Sequence, residues 1–144
     1  MSSAVSEFVQ ASERRRQRSH QCDEALSLQL EYVRQRIGMT ALVLTDDLGQ
    51  VVASAGIQRQ IQGLANQAPW LVATPEWDLG SALTFLWKEF PGIQSKHVAL
   101  RPLDVSFGDA DHLILSGVGD SRFMDDWMDH AVEGVTRIIS TTLH

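Results

Sequence analysis

Residues 40 to 56, Thr-Ala-Leu-Val-Leu-Thr-Asp-Asp-Leu-Gly-Gln-Val-Val-Ala-Ser-Ala-Gly, constrain the fold more than any other stretch of this chain. Two short runs of aliphatic and β-branched residues flank Asp46-Asp47-Leu48-Gly49. Runs of that kind read as strands, and a connection this short and rich in Asp and Gly reads as a tight hairpin rather than a crossover. Leu42, Val43 and Leu44 are consecutive apolar residues, as are Val51, Val52 and Ala53. Successive strand residues point to opposite faces, so unbroken apolar runs predict a sheet covered on both sides.

The flanking segments supply helices. Cys22, Leu26, Leu30, Val33 and Ile37 recur every three or four residues among charged neighbours, and Gly38 follows, which predicts an amphipathic helix ended by a glycine. After the hairpin, Ile57 to Asn66 reads as a short helix with Ile61 and Leu64 on one side, and Pro69 and Pro75 are expected to interrupt any regular element. Leu79 to Phe90 resumes helical character and stops before Pro91-Gly92. His97 to Phe107 and His112 to Val118 read as strands joined through Gly108-Asp109-Ala110-Asp111, a second hairpin. Pro102 lacks a backbone donor, so it is expected at a bulge or on an unpaired side. The last helix has Ser121 as its expected cap, Asp125 and Asp126 near its positive end, and a stripe of Met124, Trp127, Met128, Ala131, Val135, Ile138 and Ile139.

The 144 residues suffice for one domain. Residues 1–19 form a polar, basic arm carrying Arg14, Arg15, Arg16 and Arg18, and residues 20–144 form the folded body. The body holds 8 basic and 16 acidic side chains, a difference of -8. An acidic body repels phosphate, which argues against nucleic-acid binding. The single cysteine, Cys22, excludes an internal disulfide and favours a reducing compartment. No apolar run approaches the ~18 residues of a membrane span, and a cytoplasmic location is expected. The arm is read as a solubilising tail or an electrostatic contact for an acidic partner.

The motifs that suggest chemistry are weak. Gly117-Val118-Gly119 sits between a strand and a helix, but Arg122 occupies the place of the third glycine of a dinucleotide-binding turn, and too little chain follows for the rest of that unit. Asp126 and His130 have the i, i+4 spacing of metal ligands, yet no second cluster completes a shell. Asp104, Asp109 and Asp111 lack the spacing of a calcium loop. Cys22, Ser54, Ser81 and Ser116 are candidate nucleophiles, but none lies in a Gly-x-Ser-x-Gly elbow and Cys22 falls on an apolar stripe. The expectation is a non-enzymatic protein with no cofactor and no metal.

The aromatic residues point elsewhere. Trp70, Trp77, Phe85, Trp87 and Phe90 crowd into 21 residues. Drawn as a helix, Leu79, Ala82, Leu83, Phe85, Leu86, Trp87 and Phe90 span an apolar arc of about 200°, wider than one covering sheet requires. Such a helix wants a second apolar neighbour: a second subunit, another partner, or the Trp-containing loop folded over it. Leu83, Phe85, Leu86, Trp87, Phe90, Trp70 and Trp77 are therefore the candidate interface residues, and Phe85 and Trp87, at opposite edges of the arc, imply that at least one of them meets a partner subunit.

Residues Ala41 to Gly56 resemble the opening hairpin of roadblock domains. Leu100-Arg-Pro-Leu-Asp104, the strand His112 to Val118 and the closing helix through Gly134-Val135-Thr136-Arg137-Ile138-Ile139 resemble the later part of the same family, so the likeness covers roughly residues 22 to 142. It implies an α/β (α+β) sandwich with a central antiparallel sheet and helices on both faces. It also implies homodimers paired through the middle helix and a neighbouring strand, no catalytic residues, and a role as scaffold or regulator of a small Ras-like GTPase or a similar signalling complex. The departures from the pattern are Pro69, Pro75 and the Trp-rich sequence in the middle helical region. The rival reading is a GAF-like sensor, in which Trp70, Trp77 and Trp87 line a small-molecule cavity.

Overall fold

The computed structural model describes residues 22–36, 38–75, 78–89, 97–108, 110–119 and 124–142. The N-terminal arm, Ile37, Trp77, Phe90, Asp109 and Ser121 lie outside the described residues, and the expectations placed on them lie outside with them. A helix over residues 22–36 (α1) leads into strands β1 (Met39–Asp46) and β2 (Val51–Gly56), helices α2 (Gln58–Ala73) and α3 (Leu79–Glu89), strands β3 (His97–Leu103) and β4 (Leu113–Gly119), and helix α4 (Met124–Thr142).

The strands form one antiparallel sheet in the order β2-β1-β4-β3. β1 and β4 are central, and the side-chain period of two sends alternate residues of β1 to opposite layers. Met39, Leu42 and Leu44 join Cys22, Leu26, Leu30 and Val33 of α1 and Met128, Ala131, Val135 and Ile139 of α4 in one core. Ala41 and Val43 join Ile61, Leu64 and Leu71 of α2, and Ala82 and Leu86 of α3, in the other. The consecutive apolar residues of β1 are thus explained, since each neighbouring pair serves two separate cores; in β2 the run does not divide this way, because Ala53 joins the first core with Val52 packed against it and Val51 is exposed. The chain is an α/β domain with a central antiparallel sheet and helices on both faces.

The hairpin turn closes as its residues dictate. Asp46 Oδ1 accepts from the backbone N–H of Leu48 at 2.9 Å and of Gln50 at 2.8 Å, and Gly49 adopts φ +87°. An Asx turn and a residue at positive φ are what Asp and Gly supply most cheaply. Gly49 is also required for space, because a Cβ there would stand 2.8 Å from the carbonyl oxygen of Ala65 in α2. β3 is an edge strand, and Pro102 lies on it opposite Ile114 without a register shift. An edge strand tolerates the missing donor, and no bulge is needed there.

One expectation fails in an informative way. Pro69 does not interrupt the helix: α2 runs for 16 residues with Pro69 inside it. An internal proline costs a helix about 3 kcal/mol, because residue 69 has no N–H for the Ala65 carbonyl and its ring crowds that group. The last turn persists because Ala68 and Leu71 are buried on the sheet, and the β1–β2 turn packs over Ala65 and Pro69. Tertiary burial outweighs the local penalty. Pro75 acts as expected: Thr74 is extended, as a residue before proline prefers, and α2 ends there with Thr74 N–H donating to the Leu71 carbonyl at 3.2 Å.

Candidate interaction surface

Helix α3 packs on α2, and its Ala82 and Leu86, four residues apart, are both buried in the second core. Leu83 and Trp87, one position further round, are half-buried and pack against the same core, as do Val98 and Leu100 of β3. Phe85 lies off this line. Its ring leans toward α2 and meets Trp70 edge to face, with centroids 5.7 Å apart and planes at 72°. Both members of the pair are 46% exposed. The contact ties α2 to α3 at their outer surface and leaves about half of each aromatic side chain uncovered.

The surroundings are largely polar. Ser81, Lys88 and Glu89 lie at i-4, i+3 and i+4 from Phe85 and are exposed, as is Asn66 near Trp70 on α2, while the exposed Val72 and Ala73 add apolar surface beside Trp70. An aromatic centre inside a polar rim is the composition of a protein-binding patch.

The candidate interface residues therefore divide. Trp70 and Phe85 come together and face outward. Leu86 is a correction: it is fully buried inside the chain, where it anchors α3 and has no surface to offer. Trp87 and Leu83 serve mainly as packing, so Phe85 rather than Trp87 is the edge of the arc that remains open. Trp87 Nε1 is buried with no acceptor among the described residues. The Trp-lined cavity of the sensor reading does not form around Trp70, whose ring is at the surface.

Several of the residues considered for chemistry have structural roles. Gly117 and Gly119 lie within β4, not in a phosphate-binding loop, and a Cβ at Gly117 would meet Leu42, Met128 and Met39 at 3.2–3.3 Å. Close packing of the first core explains that glycine. Asp129 accepts from Arg101 Nε at 2.9 Å, tying α4 to β3, while Asp126 and His130 are exposed. No group of three potential metal ligands exists among the described residues. Burial, aided by the neighbouring Asp23 carboxylate, pushes the Cys22 thiol up, the opposite of what a nucleophile needs.

Two surface features escaped the reading of the sequence. Leu28 and Tyr32 are exposed on the outer side of α1, with the Arg36 guanidinium 4.9 Å over the Tyr32 ring. Their signal was the i, i+4, i+8 spacing of 28, 32 and 36, out of phase with the buried stripe. The second is a cleft of about 340 Å³ where Asp23, the β1–β2 turn and the β3–β4 connection converge. Its walls come from three distant segments, so no local pattern announces it.

No family model matches the chain, and no curated protein matches it. Among solved structures, the chain is similar in fold to the gliding protein MglB from Thermus thermophilus, at 17% identity, with 83% of this chain and 92% of that chain covered and a TM-score of 0.49. That likeness concerns the fold alone.

Proposed function

We propose that this chain is a non-enzymatic, homodimeric interaction module of the cytoplasm that regulates a small Ras-like GTPase or a comparable signalling complex. The observation that carries the proposal is the exposed Trp70–Phe85 pair, a rigid aromatic centre set in a polar rim on the outer side of α2 and α3. Aromatic side chains lose little conformational entropy when covered and dominate binding energy where they are central to a patch. The resemblance of the hairpin and the closing strand and helix to roadblock domains supplies the class of partner. The acidic body is in keeping with a protein partner rather than a nucleic acid. No described helix is long and apolar enough to cross a membrane.

Light scattering at micromolar concentration tests the first half, with a mass of about twice the 16.0 kDa chain expected. The second half is tested by titrating the chain against small Ras-like GTPases loaded with GDP or a non-hydrolysable GTP analogue. Saturable binding that prefers one nucleotide state, and that is weakened by Trp70→Ala, is expected. A chain that stays monomeric, or that binds neither nucleotide state of any GTPase tried, refutes the corresponding half.

A further inference from the structure

Asp23 stands at the edge of two hollows. It lines both the 340 Å³ cleft, walled by Asp46, Gln50, Val51, Val52 and Phe107, and a second hollow of about 400 Å³ along α1 formed with Glu24, Ser27 and Leu28. This surface has apolar area in the open, one residue in each hollow: Leu28 is 72% exposed and Val51 49%. It also carries three carboxylates, Asp23, Glu24 and Asp46, and no basic residue lines it among the described residues. The Asp46 side chain is held in place by the two backbone N–H groups of the turn.

The chain itself holds a complement to this surface. Residues 1–21 precede α1 and join it at Cys22, next to Asp23. This segment carries Arg14, Arg15, Arg16 and Arg18, with Phe8 and Val9 upstream. At ~3.3–3.6 Å per extended residue, Arg18 reaches up to about 18 Å from Asp23 and Phe8 roughly 50 Å, so the whole surface is within range. We propose that the N-terminal arm docks onto this surface of its own chain, with its arginines against Glu24 and Asp46 and with Phe8 and Val9 on the apolar surface of Leu28 and Val51. A short tether gives an effective concentration in the millimolar range, so modest charge pairing populates the docked state. The surface lies along α1, which covers one face of the sheet, whereas the aromatic pair belongs to α2 and α3 on the other, so a docked arm leaves that pair uncovered.

Hydrogen–deuterium exchange on the full chain tests this. The variant Arg14→Ser/Arg15→Ser/Arg16→Ser/Arg18→Ser removes the cations, the docking surface is read at residues 46–52 and 105–112, and β1 and β4 serve as internal controls for folding. Amides of the docking surface are expected to exchange roughly tenfold faster in the variant with the controls unchanged, and about 0.5 M salt is expected to bring the unaltered chain to the variant's rate, since screening then acts within a few ångströms. Equal exchange of these amides in the two chains overturns the proposal. A complementary measurement leaves the arm intact: Glu24→Gln/Asp46→Asn removes charge from the docking surface while the Asn oxygen still closes the turn. Trypsin cleavage after Arg14 to Arg18 is expected to be several-fold faster in that variant, and an unchanged rate overturns the proposal. Protection of this surface that fades on dilution from about 100 μM to about 1 μM assigns it to the arm of a second copy and likewise overturns docking within one chain.

Discussion

Replacing Phe85 with Ala separates association from folding more cleanly than any other change in this chain. An aromatic side chain covers about 150–250 Å², and Phe85 is 46% exposed, so about 90 Å² of it remains for a partner to cover. At ~25 cal/mol per Å² this corresponds to about 2 kcal/mol per copy. A two-fold dimer loses the contribution twice, about 4–5 kcal/mol, which is a rise of roughly 10³ in the dimer dissociation constant. Within the chain, the variant loses the edge-to-face contact with Trp70, worth about 0.5–1.5 kcal/mol, and lowers Tm by only about 2–5 °C. Analytical ultracentrifugation over a range of concentrations, with a thermal melt on the same samples, measures both quantities. The expected pattern is a large shift toward monomer with a small change in Tm. A Phe85→Ala chain that dimerises as tightly as the original refutes the assignment of this patch. A fall in Tm of about 15 °C or more, far outside the ~2–5 °C estimate, shows that Phe85 belongs to the core instead.

Other positions test the interior. Gly49→Ala combines a positive φ with a Cβ 2.8 Å from the Ala65 carbonyl, so a loss of about 2–3 kcal/mol is expected in chemical denaturation; an unchanged midpoint would mean the turn is not seated on α2. Ser116 is fully buried with its Oγ unpaired among the described residues, so Ser116→Ala is expected to raise stability by about 1 kcal/mol, and a loss of that size would reveal a hidden hydrogen-bond partner. The Cys22 thiol is raised by burial in the folded chain, whereas an unfolded thiol ionises near about 8.5. Stability from this group is therefore intact below that pH and is lost as pH rises beyond it, and Cys22→Ala is expected to flatten the alkaline limb of the denaturation profile. Rapid labelling of Cys22 by a thiol reagent at neutral pH in the folded chain would contradict its burial.

Much of the architecture follows from local rules that the sequence alone expresses. The Asp-Asp-Leu-Gly turn fixes a hairpin, because Asp46 hydrogen-bonds its own following backbone and Gly49 takes a conformation other residues resist. The buried stripes of α1 and α4 follow from a period of 3.6 residues, and the double core of β1 follows from a period of two applied to an unbroken apolar run. Those patterns state which residues must leave water, and for these segments one partner suffices to satisfy them.

The candidate surface was decided by tertiary structure. A wide apolar arc on α3 does not say which of its residues turns inward. Placing Ala82 and Leu86 inward buries Leu86 completely, half-covers Leu83 and Trp87 and leaves Phe85 outside, and that choice is made by the packing of α3 on α2 and the second core, not by α3 itself. Trp70 reaches Phe85 only because α2 continues through Pro69, which local propensity argues against and burial of Ala68 and Leu71 enforces. Helix propensity is a matter of at most a few kcal/mol at one position, whereas docking a whole turn onto a sheet buries several side chains together, so packing overrules the local preference where the two conflict.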